Sequence, residues 1–216
     1  MPISFKLDSS FYDKDYFENG RATQKSWYTN YRWLPQRSFR EAFVYLDYLK
    51  LNKDSYILDY GTAKGFLVRA FRELDIKADG CDISEYALSF APEGCWNCSD
   101  LSQWKNRNYT HVVAKDVFEH LNESQLEETF TRLSKISLKM MCVVPMGDNG
   151  TYRIKEYHTD ISHLIAENEA WWRDKFYNSG WKIIGESYYI KGLKDNWIYM
   201  PEGNRVFVLE NDDKRQ

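Results

Sequence analysis

Ile57-Leu58-Asp59-Tyr60-Gly61-Thr62-Ala63-Lys64-Gly65-Phe66 is the stretch on which the architecture of this chain turns. Tyr56 to Leu58 is a short apolar run of the kind found in strands covered on both faces. It ends at an acid followed by small residues at every second position. Gly61 and Gly65 supply the backbone freedom to reverse the chain and let a ligand approach closely. From Phe66 to Leu74 the apolar residues recur at helical spacing. The stretch predicts a buried strand, a tight turn and the start of a helix, which together suit a nucleotide-like cofactor.

A dinucleotide fingerprint needs glycines at the first, third and sixth positions of such a turn, and the last two are here Ala63 and Phe66. That spacing disfavours a nicotinamide cofactor. The alternation Asp59, Gly61, Ala63, Gly65 instead resembles the first motif of class I S-adenosylmethionine (SAM) dependent methyltransferases, an acid followed by three alternating glycines. Ala63 stands in place of the middle one. Ala78-Asp79-Gly80-Cys81-Asp82-Ile83-Ser84 then looks like a second strand ending in a carboxylate, at the usual distance for an acid that holds an adenosine ribose. Asp82 can accept from both ribose hydroxyls, which favours a free 2′,3′-diol.

Asn97-Cys98-Ser99-Asp100-Leu101 places an acid after a third short strand, and the resemblance implies Asp100 and Leu101 against the adenine amino group and ring. His111 to Leu121 resembles the fourth strand and its following loop, where the family binds the methionine end of the cofactor and begins its catalytic surface. That implies Asp116 and Val117 there, with Asp59, Gly61, Thr62, Ala63 and Gly65 at the methionine moiety and Asp82 with Ile83 at the ribose. The strings Ala63 to Val68 and Asp82 to Leu88, followed by Asp160, His163, Trp171 and Trp172, look like a branch of small, stand-alone bacterial and phage-type methyltransferases.

The fold this implies is α/β and Rossmann-like: a mostly parallel seven-stranded sheet, helices on both faces, and a direction reversal in the final strand pair, the last strand antiparallel. Periodicity places strands near 55–60, 77–82, 94–98, 111–115 and 138–144, and helices near 36–49, 64–74, 84–90 and 123–136. A helix from Glu167 to Asn178, closed by Gly180, precedes strands at 181–190 and 205–209. One domain over 1–216 is expected, divided into an N-terminal cap (1–35), a SAM-binding core (36–146), an acceptor-side insertion (147–172) and a C-terminal helix with its strand pair (173–216).

Composition is consistent with a soluble globular chain: 216 residues, 43% hydrophobic and 28% charged. Aromatic residues reach 17% and crowd before the first strand, in Phe11, Tyr12, Tyr16, Phe17, Trp27, Tyr28, Tyr31 and Trp33. They follow no helical period, so they suggest a cap rather than one amphipathic helix. A net charge of −3 argues against a nonspecific nucleic-acid binder. The basic run Arg32 to Arg40 reads as a solvated helix face. Cys95 and Cys98 have CxxC spacing but no second pair, and Cys81 and Cys142 fall in predicted strands as reduced core thiols. With no signal-peptide pattern and no membrane-length apolar run, a cytoplasmic location is expected.

Methyl transfer from a sulfonium is an in-line displacement that needs a base only when the acceptor must lose a proton. His120 and His163 are the candidate bases, although His120 can equally pack beneath its helix and His163 can simply bond Asp160. Asp116-x-x-Glu119-His120 with Asp160-x-x-His163 is similar to ubiquinone-pathway O-methyltransferases and small-RNA 3′-end 2′-O-methyltransferases. That similarity implies a divalent ion on Asp116, Glu119, His120 and His163, but the first acid is Asp rather than Glu and the same run occurs in metal-free relatives. SAM is the expected cofactor, S-adenosylhomocysteine (SAH) the product, and a metal is not expected. The acceptor implied is an oxygen or nitrogen of a small molecule or glycan precursor. A non-catalytic SAM- or SAH-binding protein is the rival reading.

Overall fold

Ile57 and Leu58 are both fully buried yet point to opposite faces of a sheet, and that alternation organises the molecule. The computed structural model describes residues 8–211. The strand carrying them, β1 (Tyr56–Tyr60), pairs in parallel with β2 (Lys77–Asp82) on one side and β4 (Tyr109–Lys115) on the other. β3 (Trp96–Asn97) adds in parallel outside β2, and β5 (Ser137–Pro145) outside β4. β6 (Gly147–Asp148) and β7 (Thr151–Tyr152) form a separate antiparallel hairpin. β8 (Trp181–Ser187) and β9 (Asn204–Asn211) complete the main sheet, whose order is β3-β2-β1-β4-β5-β9-β8.

One row across the sheet, Leu58, Val112, Met140 and Leu209, faces a core closed by α6 (Glu123–Ile136) and α7 (Glu169–Asn178). The next row, with Val113, Met141 and Val208, faces a second core closed by α3 (Pro35–Leu49) and α4 (Phe66–Glu73). Helices on both faces of a largely parallel sheet follow from strands that are apolar on both sides. Local chemistry sets the ends. Pro35 opens α3, Asn122 and Gln125 form a reciprocal capping box on α6, and Asn168 caps α7, beyond which Gly180 turns at φ +79°.

The expected elements are present, with three differences. The strand expected over 94–98 is reduced to two residues, and the helix expected over 84–90 to α5 (Glu85–Leu88). The direction reversal is confined to β9, which runs antiparallel to both β5 and β8, so β8 points the same way as the others. Trp171 and Trp172, the paired tryptophans of the resemblance, serve packing: Trp172 is fully buried in the α7 core and Trp171 lies edge-on to it.

Before α3 lie two short helices, α1 (Lys14–Glu18) and α2 (Gly20–Thr23). Tyr16 and Phe17 pack there with Tyr12, Tyr28 and Tyr31 against Ala63, Tyr86 and Ala87. Residues 1–7 of the expected cap and 212–216 of the expected C-terminal unit lie outside the described residues. No helix among the described residues is long and apolar enough to cross a membrane. Cys81, Cys95, Cys98 and Cys142 are all free, Cys81 and Cys142 buried.

Candidate active site

The turn after β1 is tied to the neighbouring strand by its own backbone: Gly61 and Thr62 donate to the Cys81 carbonyl at 2.8 and 3.0 Å. Gly61 sits at φ +79°, and a Cβ there would fall 2.0 Å from a Val117 methyl, so only glycine suits this approach of the loop after β4. Asp82 accepts from the N–H of Ala63 through Oδ2 and from that of Ser84 through Oδ1, both at 2.8 Å. Burial raises its pKa, and these N–H groups act in the opposite direction. Each oxygen keeps a lone pair, so a pair of adjacent hydroxyls can still donate to it.

A cleft opens over this turn, lined by Gly61, Ala63, Asp82, Ile83, Cys98, Ser99, Asp116, Val117, His120 and Leu121 from the strand ends, and by Tyr12, Tyr16, Phe17 and Tyr28 from the N-terminal segment. Asp100 and Leu101 are not part of its lining. The Asp100 carboxylate accepts from the Ser102 N–H and hydroxyl at 2.9 and 2.7 Å, capping the turn Leu101–Trp104, while Leu101 is 58% exposed. With β3 only two residues long, the chain turns away early, and Cys98 and Ser99 take the lining positions. Asp59 and Thr62 lie instead beside a second cavity that shares Gly61 and Ala63 with the first. Thr62 donates to Asp59 at 2.7 Å, and burial pushes the Asp59 carboxyl up to about 7. Gly65, at φ +70°, precedes α4 and lines neither cavity.

His120 lines the cleft and His163 does not, although their ring centroids lie 4.6 Å apart. Ser162 donates its hydroxyl to Asp160, so at the 2.8 Å contact with Ser162 the His120 Nδ1 must be the donor, which leaves a lone pair on Nε2. His163 Nδ1 likewise donates to the Tyr157 carbonyl at 2.8 Å. Burial holds both imidazoles neutral, lowering His120 to about 4. Glu119 is fully buried with no hydrogen-bond partner for either oxygen, and burial followed by the Asp116 charge raises it well above the usual carboxylate range.

Ligand atoms of Glu119, His120 and His163 all lie within 4.8 Å of one another. Asp116, the fourth residue of the expected metal set, does not join that group. It pairs with Lys194 Nζ at 2.5 Å, and the Lys194 and Lys115 charges outweigh burial to hold it below its ordinary range. Lys194 also donates to the Tyr157 hydroxyl at 2.9 Å, which donates in turn to Asn204 at 2.6 Å. Sequence reasoning missed Lys194, Ser162 and Cys98 as site residues. Lys194 arrives from the connection between β8 and β9, and nothing local marks it.

No protein-family profile and no curated protein matches the sequence. Solved structures do share its architecture. The methyltransferase in complex with the Haloferax volcanii Trm112 methyltransferase activator superposes with a TM-score of 0.64 at 16% identity, over 82% of this chain and 91% of that one. A SAM dependent methyltransferase from Archaeoglobus fulgidus gives 0.61 at 14% identity, over 80% and 94%. Magnesium protoporphyrin IX methyltransferase from Synechocystis with bound SAH gives 0.57 at 14%, over 82% and 84%. The chain has the class I SAM-dependent methyltransferase fold.

Proposed function

We propose that this chain is an enzyme that moves the methyl group of SAM to an oxygen or nitrogen of a small-molecule or glycan-precursor acceptor and releases SAH. The observation that carries this reading is Asp82, whose carboxylate is fixed by two backbone N–H groups beside the Gly61–Gly65 turn and keeps lone pairs for a ribose diol. Adenine would lie against Ile83, Cys98, Ser99 and Val117, with the methionine end along Gly61 to Ala63 and Asp116. Bound there, SAM would supply a methyl group on a sulfonium whose carbon–sulfur pair stays with sulfur, and Nε2 of His120 or His163 would take the acceptor proton where one must leave. Because burial keeps both rings neutral, each is available as a base at pH 7. The aromatic segment before α3 and the insertion over 147–172 would enclose the acceptor, and Trp27 already joins them by donating to the Glu156 carbonyl at 3.0 Å. Four free cysteines support a reducing, cytoplasmic compartment.

The test is SAH release from SAM across a panel of hydroxyl and amine acceptors. For an acceptor that loses a proton, His120→Asn or His163→Asn should slow turnover about 100-fold or more. SAM binding without SAH release from any acceptor would favour the non-catalytic reading.

A second reading is favoured by Glu119, a buried carboxylate with no hydrogen-bond donor and two imidazoles beside it. One carboxylate and two histidines suit a divalent ion with open positions. Such an ion supplies charge that lowers the pKa of an acceptor hydroxyl. Mn²⁺ should raise the melting temperature of the wild type and not of Glu119→Gln; equal shifts, or none in the wild type, would remove the ion from the account.

A further inference from the structure

The second cavity shares Gly61, Ala63, Tyr28 and Asp116 with the cofactor cleft and opens beyond them. Three arginines line it: Arg21 from α2, Arg32 from the segment before α3, and Arg37 from the first turn of α3. None of the three has a carboxylate partner among the described residues, whereas Arg40, on the same helix, pairs with Asp195. The acids along the cavity are already matched. Glu41 pairs with Lys115 at 2.5 Å, Asp116 with Lys194 at 2.5 Å, and Asp59 accepts from Thr62. The first turn of α3 carries no acidic residue that would neutralise the positive end of the helix.

In a chain of net charge −3, three unmatched guanidiniums around one opening are a local excess of positive charge with no structural counter-charge. The wall that carries Arg21 is also held in place. Its guanidinium lies 5.2 Å from the Trp27 ring centroid, and the Trp27 indole is anchored on Glu156. Guanidinium forks match phosphate oxygens two at a time and remain charged at any relevant pH. The single carboxylate of the cofactor would occupy one such fork, leaving the others unused.

We infer that this cavity seats a phosphate or diphosphate group on the methyl acceptor, so that the acceptor class is a phosphorylated metabolite presented to the cleft past Gly61 and Asp116. This rests on the methyltransferase reading above for the word acceptor, while the anion cavity itself stands on the arginines.

The experiment is calorimetric titration of pyrophosphate, with acetate as the singly charged comparison, into the full chain with and without saturating SAH. The arginines are exposed, so Arg21→Ala/Arg32→Ala should fold normally, which circular dichroism checks. Pyrophosphate should bind more tightly than acetate in both states and weaken about tenfold or more in the double variant, with SAH affinity unchanged within about twofold. Rising sodium chloride should weaken it as well. Equal binding of acetate and pyrophosphate, or unchanged pyrophosphate binding in the variant, overturns the proposal. So does a variant that loses SAH while keeping pyrophosphate, because the arginines would then serve the cofactor. If the wild type binds pyrophosphate through these arginines and binds no SAH, the methyltransferase reading fails and the anion cavity stands.

Discussion

Asp82 Oδ2, at the carboxyl end of β2, accepts a hydrogen bond from the main-chain N–H of Ala63 at 2.8 Å and so joins the second strand to the turn after the first. Ala63 holds that position at φ +50°, where an L side chain is strained. Ala63→Gly relieves about 1 kcal/mol of strain, and the larger entropy of the unfolded chain offsets part of that gain, so stability should change by less than about 1 kcal/mol. Ala63→Val, β-branched in the left-handed region, should cost about 2 kcal/mol or more. Urea denaturation compares them, and equal midpoints would contradict the strain argument.

Asp59 and His120 should move stability with pH in opposite directions. Asp59 is raised to about 7, so the folded chain keeps a proton that the unfolded chain has lost. Its contribution is full below the ordinary carboxylate pKa of about 4 and disappears as pH rises through its folded value. Asp59→Asn still accepts from Thr62, and its melting temperature relative to wild type should climb between about pH 5 and pH 8. His120 is lowered to about 4 and contributes above its ordinary value of about 6.5, losing this as pH falls through its folded one. His120→Asn should therefore lose less melting temperature than wild type on acidification from about pH 7 to pH 5. A variant offset that does not change with pH would contradict either assignment.

Trp172 and Trp171 are adjacent on α7 but differ in burial. Trp172→Ala removes a fully buried indole and should cost about 3–5 kcal/mol by chemical denaturation. Trp171→Ala should cost less than about 2 kcal/mol. Equal losses would contradict the assignment of Trp172 to the core.

The parts of this architecture legible in the sequence are those set by short-range patterns. β1 and β5 are apolar on both faces, α6 begins at a side-chain cap, and Asp82 falls at a fixed distance from the turn it serves. Asp100 and Leu101 fall outside the cleft lining because the same acid is also a good cap, and with β3 reduced to two residues the cap claims it. Lys194 was unreadable because its pairing with Asp116 is distant in sequence and depends on where the chain returns after β8. Arg32 and Arg37 read as part of a solvated basic run because spacing along the chain cannot show that they and Arg21 come up against the same opening.

The most direct measurement is calorimetric titration of SAH into the wild type and Asp82→Ala, with circular dichroism to verify that the variant is folded. A single site with a dissociation constant on the order of 10⁻⁶ M, weakened about 100-fold or more in the variant, is the expected result. Failure of the folded wild type to bind SAH, or equal affinity in the two proteins, would contradict the assignment of this cleft to an adenosyl cofactor.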